Sequence, residues 1–146
     1  MRAFGRRLFR AYALAVASAR QKHLVLILAR EFASNLATPT LITDEQGRLV
    51  FYNEAAEEIL ERRFSEAGEV PLEEWLGPFS PRTLDSEPLP FERLPAGIAL
   101  YERRAAHERF TITSVDGVVR NVAVTAFPLF AHTDELVGIV TIWWRE

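Results

Sequence analysis

Histidine, paired carboxylates and cysteine are the side chains most able to do chemistry, and this sequence uses them sparingly. It has three histidines, His23, His107 and His132, too far apart in sequence to form a metal-binding run. Glu57-Glu58 and Glu73-Glu74 are adjacent acids; on helices such pairs read as solvated faces rather than as a general acid and base. There is no GxSxG elbow, no HExxH, no phosphate-cradling glycine loop and no dinucleotide fingerprint. Cysteine is absent, which removes disulfides, thiolate metal sites, thiol nucleophiles and cysteinyl-flavin chemistry together. No catalytic residue and no metal site are expected, and the chain reads as a non-enzyme.

The elements that carry these residues belong to one domain. At 146 residues, 49% apolar and 25% charged, the chain has the balance of an ordinary globular protein. Its net charge of −3 is unevenly spread. Residues 1–36 hold seven basic groups and one acid, a local charge of +6, so the remainder carries −9. That split marks an element appended to an acidic domain. An acidic domain is a poor nucleic-acid platform, since phosphate contacts dominate that affinity.

Leu8 to Leu36 contain no proline or glycine, and the composition predicts a helix. Leu8, Tyr12, Ala15, Ala19, Lys22, Leu26, Ala29, Ala33 and Leu36 recur by four and three as a heptad seam, and "LVLIL" at 24–28 widens the stripe as if toward a second surface. Thr38-Pro39 is expected to end the helix. "TLITD", the turn "EQG" and "RLVFY" predict a hairpin, after which Asn53 is suited to cap the helix "EAAEEILERR". Six of the eight prolines fall within 65–95, which predicts short turns and loops. "FERLPAGIALYERRAA" regains helical character, with Leu94, Ile98 and Tyr101 expected on one face. The last third predicts a three-stranded meander: "ERFTITSV", "VVRNVAVTAFPLF" and "LVGIVTIWW".

In this order, "TDEQGRLVFYNEAAEEIL", "DSEPLPFERLPAGIAL" and "DGVVRNVAVTAFPLFAHTDELVGIVTIWW" make the chain from about Leu36 to Glu146 resemble a PAS domain, the bacterial sensory module. The resemblance implies an α+β fold, a five-stranded antiparallel sheet with helices over one face, preceded here by the long amphipathic helix. It divides the chain into a helix at 1–36 and a PAS domain at 37–146, and gives Asn53 the task of tying the first PAS helix to its neighbouring strands. It implies a sensory module rather than a catalyst, whose function lies in what its cup binds and in helices that pair with another copy.

By the same resemblance Ile98, Ile112, Val122, Val124, Ala126, Thr141 and Trp143 face the cup, and a ligand there is apolar or aromatic; the alternative is a solid core plugged by Trp143. Strand parity then sends Val140, Ile142 and Trp144 to the other face, which needs a cover, and the helix is the natural one. A homodimer is expected through Leu8, Tyr12, Ala15, Ala19, Leu26, Ala29, Ala33 and Trp144. No cofactor is expected and the purified protein should be colourless. The long PAS helix lacks the histidine by which some members hold haem, although His107 just beyond it leaves haem open, and non-covalent flavin stays open too. The alternative function is a small-molecule carrier or a haem- or flavin-binding protein. The N-terminus also resembles a signal peptide, with Arg6-Arg7-Leu8-Phe9 like a twin-arginine signal, but its apolar run from Ala11 to Ala19 is brief. It is too short for a span and leaves membrane-surface contact by 1–36 as a lesser reading. A cytoplasmic location is expected, with the output domain in a partner or elsewhere in the protein.

Overall fold

The computed structural model describes residues 2–60, 70–132 and 134–145. A long helix α1 (Arg2–Ser34) leads into a hairpin of β1 (Thr40–Asp44) and β2 (Leu49–Tyr52). Helix α2 (Glu54–Leu60), a short α3 (Leu72–Leu76), two 3-10 turns (Gly77–Phe79 and Phe91–Arg93) and α4 (Pro95–Glu102) follow. The meander β3 (Ala106–Thr113), β4 (Val119–Ala131) and β5 (Glu135–Arg145) completes one five-stranded sheet in the order β2-β1-β5-β4-β3. Every pairing is antiparallel. The expected α+β architecture, with its leading helix, is the one observed.

Each element has a local cause. In the first hairpin, Asp44 Oδ1 accepts from the backbone N–H of Gln46 and of Arg48, both at 2.9 Å, so the carboxylate templates the turn that passes through Gly47 at φ +80°. Pro128 is tolerated within β4 because β3 pairs only as far as Ala126, leaving a strand on one side alone at that point. α1 stops at Ser34, short of the Thr38-Pro39 stop. The last turn tightens, Asn35 N donating to Phe32 O at 3.2 Å; Ser34 Oγ donates to Arg30 O at 2.7 Å and Asn35 Nδ2 to Glu31 O at 2.8 Å, so a side chain meets the Glu31 carbonyl in place of the next helical amide.

Helix α4 turns a different face inward from the one its larger residues suggested. Pro95, Ala96, Gly97 and Ala99 are buried, whereas Ile98 is half-buried and Tyr101 exposed, its ring edge-on to Phe91 at 6.2 Å. Close approach decides this: a Cβ on Gly97 would sit 1.9 Å from Phe91 O. Only small residues fit on that side, and the bulky ones rotate outward. Gly97→Ala should therefore destabilise the domain by about 3 kcal/mol, although alanine is the better helix former by about 1 kcal/mol. Chemical denaturation with an unchanged m-value measures it; a neutral substitution would show that α4 can move off the turn at Phe91.

Candidate functional site: the cup and its outer helix

The inner face of the sheet forms the main apolar cluster. Leu41, Ile112, Val122, Val124, Ala126 and Trp143 project from the strands and meet Ala56, Leu72, Trp75, Phe79, Phe91 and Ala99 from the covering segments. Trp75 bridges Tyr52 and Phe79, with ring centroids 5.9 and 5.5 Å apart. Of the residues expected to face the cup, Ile112, Val122, Val124, Ala126, Thr141 and Trp143 are all buried. Ile98 departs from the expectation: with the small residues of α4 turned inward, it lines an outer groove with Leu89, Glu92 and Arg109. Trp75 and Phe79 carry no such signal in the sequence, because their proline-rich surroundings have no periodicity to orient them.

Two polar atoms break the apolar pattern. Thr141 Oγ1 and Trp143 Nε1 are buried with no hydrogen-bond partner. They stand two residues apart on β5, opposite Ala126 and Val124. A buried donor left unmade costs on the order of 1–3 kcal/mol. Both atoms can donate, so an acceptor placed between β5 and the covering helices satisfies either of them.

Asn53 works at the cup's edge. Its Oδ1 accepts from Thr40 N at 3.1 Å and from Ala56 N at 3.0 Å, the second bond being the N-cap of α2. Its Nδ2 donates to the carbonyls of Ala33 at 3.0 Å, Leu36 at 3.3 Å and Thr38 at 2.9 Å. One buried amide thus ties the end of α1, the start of β1 and the first turn of α2. The sequence carried the cap as a signal, but not the reach back to α1.

On the outer face, Leu26, Ala29 and Ala33 pack against Ile42, Val140 and Ile142, with Phe127 and Leu129 beside them. Gly138 on β5 makes this possible: a Cβ there would meet Thr43 O at 2.2 Å and crowd Leu26 Cδ2 at 3.3 Å. Arg30 lies 5.4 Å over the Phe51 ring. Farther along, Lys22 Nζ meets Glu135 Oε1 at 2.8 Å, and the His132 backbone N–H donates to Gln21 Oε1 at 3.3 Å. The Lys22 pKa is raised, first by that hydrogen bond and further by the charges of Glu135 and Glu45, with burial opposing. A raised lysine pKa keeps the bridge charged below the lysine's ordinary value and releases it only as pH climbs through the higher one, so the contact holds at neutral pH.

The expected dimer seam is thereby divided. Leu26, Ala29 and Ala33 are engaged by the chain's own sheet, because the stripe that suits a partner helix also suits an apolar sheet face. Leu8, Tyr12 and Ala15 lie on the same stripe but are exposed, and the side chain of Ala19 lies outside the described residues. Trp144 is 44% exposed, beyond the helix's cover.

None of the three histidines faces the inner cluster. His23 is exposed on α1, His107 Nδ1 lies 2.8 Å from Thr125 Oγ1 in an exposed pair, and His132 is exposed at the β4–β5 turn. Among the described residues no group of His, Asp or Glu side chains could hold a metal ion, and no helix is long and apolar enough to cross a membrane.

No protein-family model matches the sequence, and no curated protein does. Solved structures do. The PAS domain of BvgS from Bordetella pertussis is 19% identical, with 83% of this chain and 84% of that one covered and a TM-score of 0.59. The PAS domain of nitrogen regulation protein NR(II) from Vibrio parahaemolyticus is 18% identical over 82% and 98%, with a TM-score of 0.56. The LOV domain of a blue-light activated histidine kinase from Erythrobacter litoralis is 18% identical over 76% and 97%, with a TM-score of 0.58. Strand order, helix placement and these likenesses agree: the chain has the PAS fold.

Proposed function

We propose that this chain is a sensory and signal-transduction module, with a helix at 1–36 that mediates homodimerisation and a PAS body at 37–146 that takes a small, largely apolar ligand. The observation that carries the ligand is the unmade pair, Thr141 Oγ1 and Trp143 Nε1, within an otherwise apolar interior. A small aromatic or heteroaromatic molecule with one acceptor matches that interior. Similar domains come from a nitrogen regulation protein and a light-activated histidine kinase, which supports a signalling role. The module has no catalytic activity of its own in this reading. Its setting is the cytoplasm, and its output is an output domain or partner protein.

Dimerisation rests on α1, whose Leu8, Phe9, Tyr12 and Leu14 stand exposed on the amino-terminal side of the contacts that Gln21 and Lys22 make with His132 and Glu135. The second reading, a carrier or a haem- or flavin-binding protein, is favoured by the same unmade pair and separated by colour. Native mass spectrometry of the purified protein, with an absorbance spectrum, tests all of this. The expected result is a colourless dimer carrying a small molecule at substoichiometric to full occupancy. A Soret or flavin band moves the conclusion to the second reading, and a ligand-free monomer overturns the first.

A further inference from the structure

The face of α1 turned away from the sheet is apolar too. Leu24 and Leu28 are 52% and 59% exposed, and Ile27 is 46% exposed. With 3.6 residues per turn, these positions lie opposite Leu26, Ala29 and Ala33, which rest on the sheet. Arg20, Leu24, Ile27 and Glu31 recur by four, three and four along that outer face, so a basic residue closes one end of the apolar stretch and an acidic residue closes the other. Arg20 and Glu31 are both exposed.

We propose that this outer face pairs with the same face of a second copy, antiparallel, with Leu24 against Ile27 of the second copy and Arg20 against its Glu31. The inference rests on the reading of α1 as the dimerisation element and adds its face, direction and register. The pattern is self-complementary in one direction only. Antiparallel, the two-fold axis falls between Val25 and Leu26, and each end brings opposite charges together. Parallel and in register, Arg20 meets Arg20 and Glu31 meets Glu31.

The rest of the helix follows the same logic. In this register residues 6–16 run past the second copy's Ser34 by up to about 16 Å at 1.5 Å per residue. Arg6 and Arg10 lie on the same outer face as Leu24 and are exposed. They extend past the end of the second copy's α1, the end that Asn53 ties to the start of α2. The overhang carries the basic end of a +6 helix toward the −9 domain of the other copy.

The chain lacks cysteine, so disulfide trapping reads the register directly. Leu24→Cys and Ile27→Cys proteins are mixed and oxidised, and the mixed 24–27 species is expected to dominate. Dominance of the 24–24 and 27–27 species in that mixture overturns the antiparallel register and leaves α1 pairing standing. Charge reversal gives a second measure. Arg20→Glu and Glu31→Arg should each weaken dimerisation roughly tenfold, and the double variant should recover to within about threefold of the parent. A double variant as weak as the singles, or singles that dimerise like the parent, overturns the pairing. A parent protein that is monomeric at tens of micromolar overturns both the pairing and the dimer reading. Cosedimentation of that monomer with anionic vesicles would assign α1 to a membrane surface instead.

Discussion

Asn53→Ala is expected to cost about 3–5 kcal/mol of unfolding free energy. The side chain is 2% exposed and engages two N–H donors and three carbonyls. Removing it leaves the Thr40 and Ala56 amides without their side-chain acceptor and withdraws a donor from Ala33, Leu36 and Thr38. The Ala56 bond alone is an N-cap, worth about 1 kcal/mol. Hydrogen exchange should show the last turn of α1, the start of β1 and the first turn of α2 losing protection together. A loss confined to α2 would mean that the bonds to α1 contribute little. Asn53→Asp sharpens the test, because it keeps the two bonds to Oδ1 and turns a second oxygen toward three carbonyls. Those carbonyls disfavour the carboxylate, so its folded-state pKa is raised, and the stability of the variant should be lost as pH rises through that value.

Trp143→Ala is the second large expected effect, also about 3–5 kcal/mol. The indole is 4% exposed and packs in the inner cluster, so truncation leaves a cavity that the surrounding strands cannot close. The variant should gain binding of small aromatics, read as a rise in melting temperature on their addition. Trp143→Phe separates volume from polarity. It removes the unmade Nε1–H and keeps most of the ring, so it should cost far less than alanine in protein freed of ligand. If instead it costs as much as alanine, the indole N–H makes a hydrogen bond in solution and the pair is not unmade. A stable Trp143→Ala protein would reverse the assignment of Trp143 inward and Trp144 outward.

Much of this was readable from residue types because the signals were local. Alternation along β5 separates Trp143 from Trp144 without knowledge of any partner strand, and Asn53 precedes a helical pattern at the position a cap must occupy. What could not be read depended on distances between elements. Gly97 announces a close approach but not to what, so residue types alone point to the larger side chains of α4 as its inward face, with Ile98 inside. The seam of α1 is a periodicity, and a sheet and a second helix both satisfy that period. Gly138 leaves room for β1 and for Leu26 on the outer face, which is visible only once β5, β1 and Leu26 are brought together.

The attachment of α1 has a mechanical consequence. The helix is 33 residues, about 50 Å at 1.5 Å per residue, and its firmest bonds lie at one end, where a single amide grips the last turn. Lys22 meets Glu135 about 18 Å from that grip, and the helix runs on for roughly 30 Å toward its amino end. Tilting the whole helix by about 5° from its grip at Asn53, with the Leu26, Ala29 and Lys22 contacts sliding across the sheet, moves its far end by about 4 Å. A shift at β1 or α2 too small to disturb the core is magnified along the helix, and the displacement is delivered farthest from where it began.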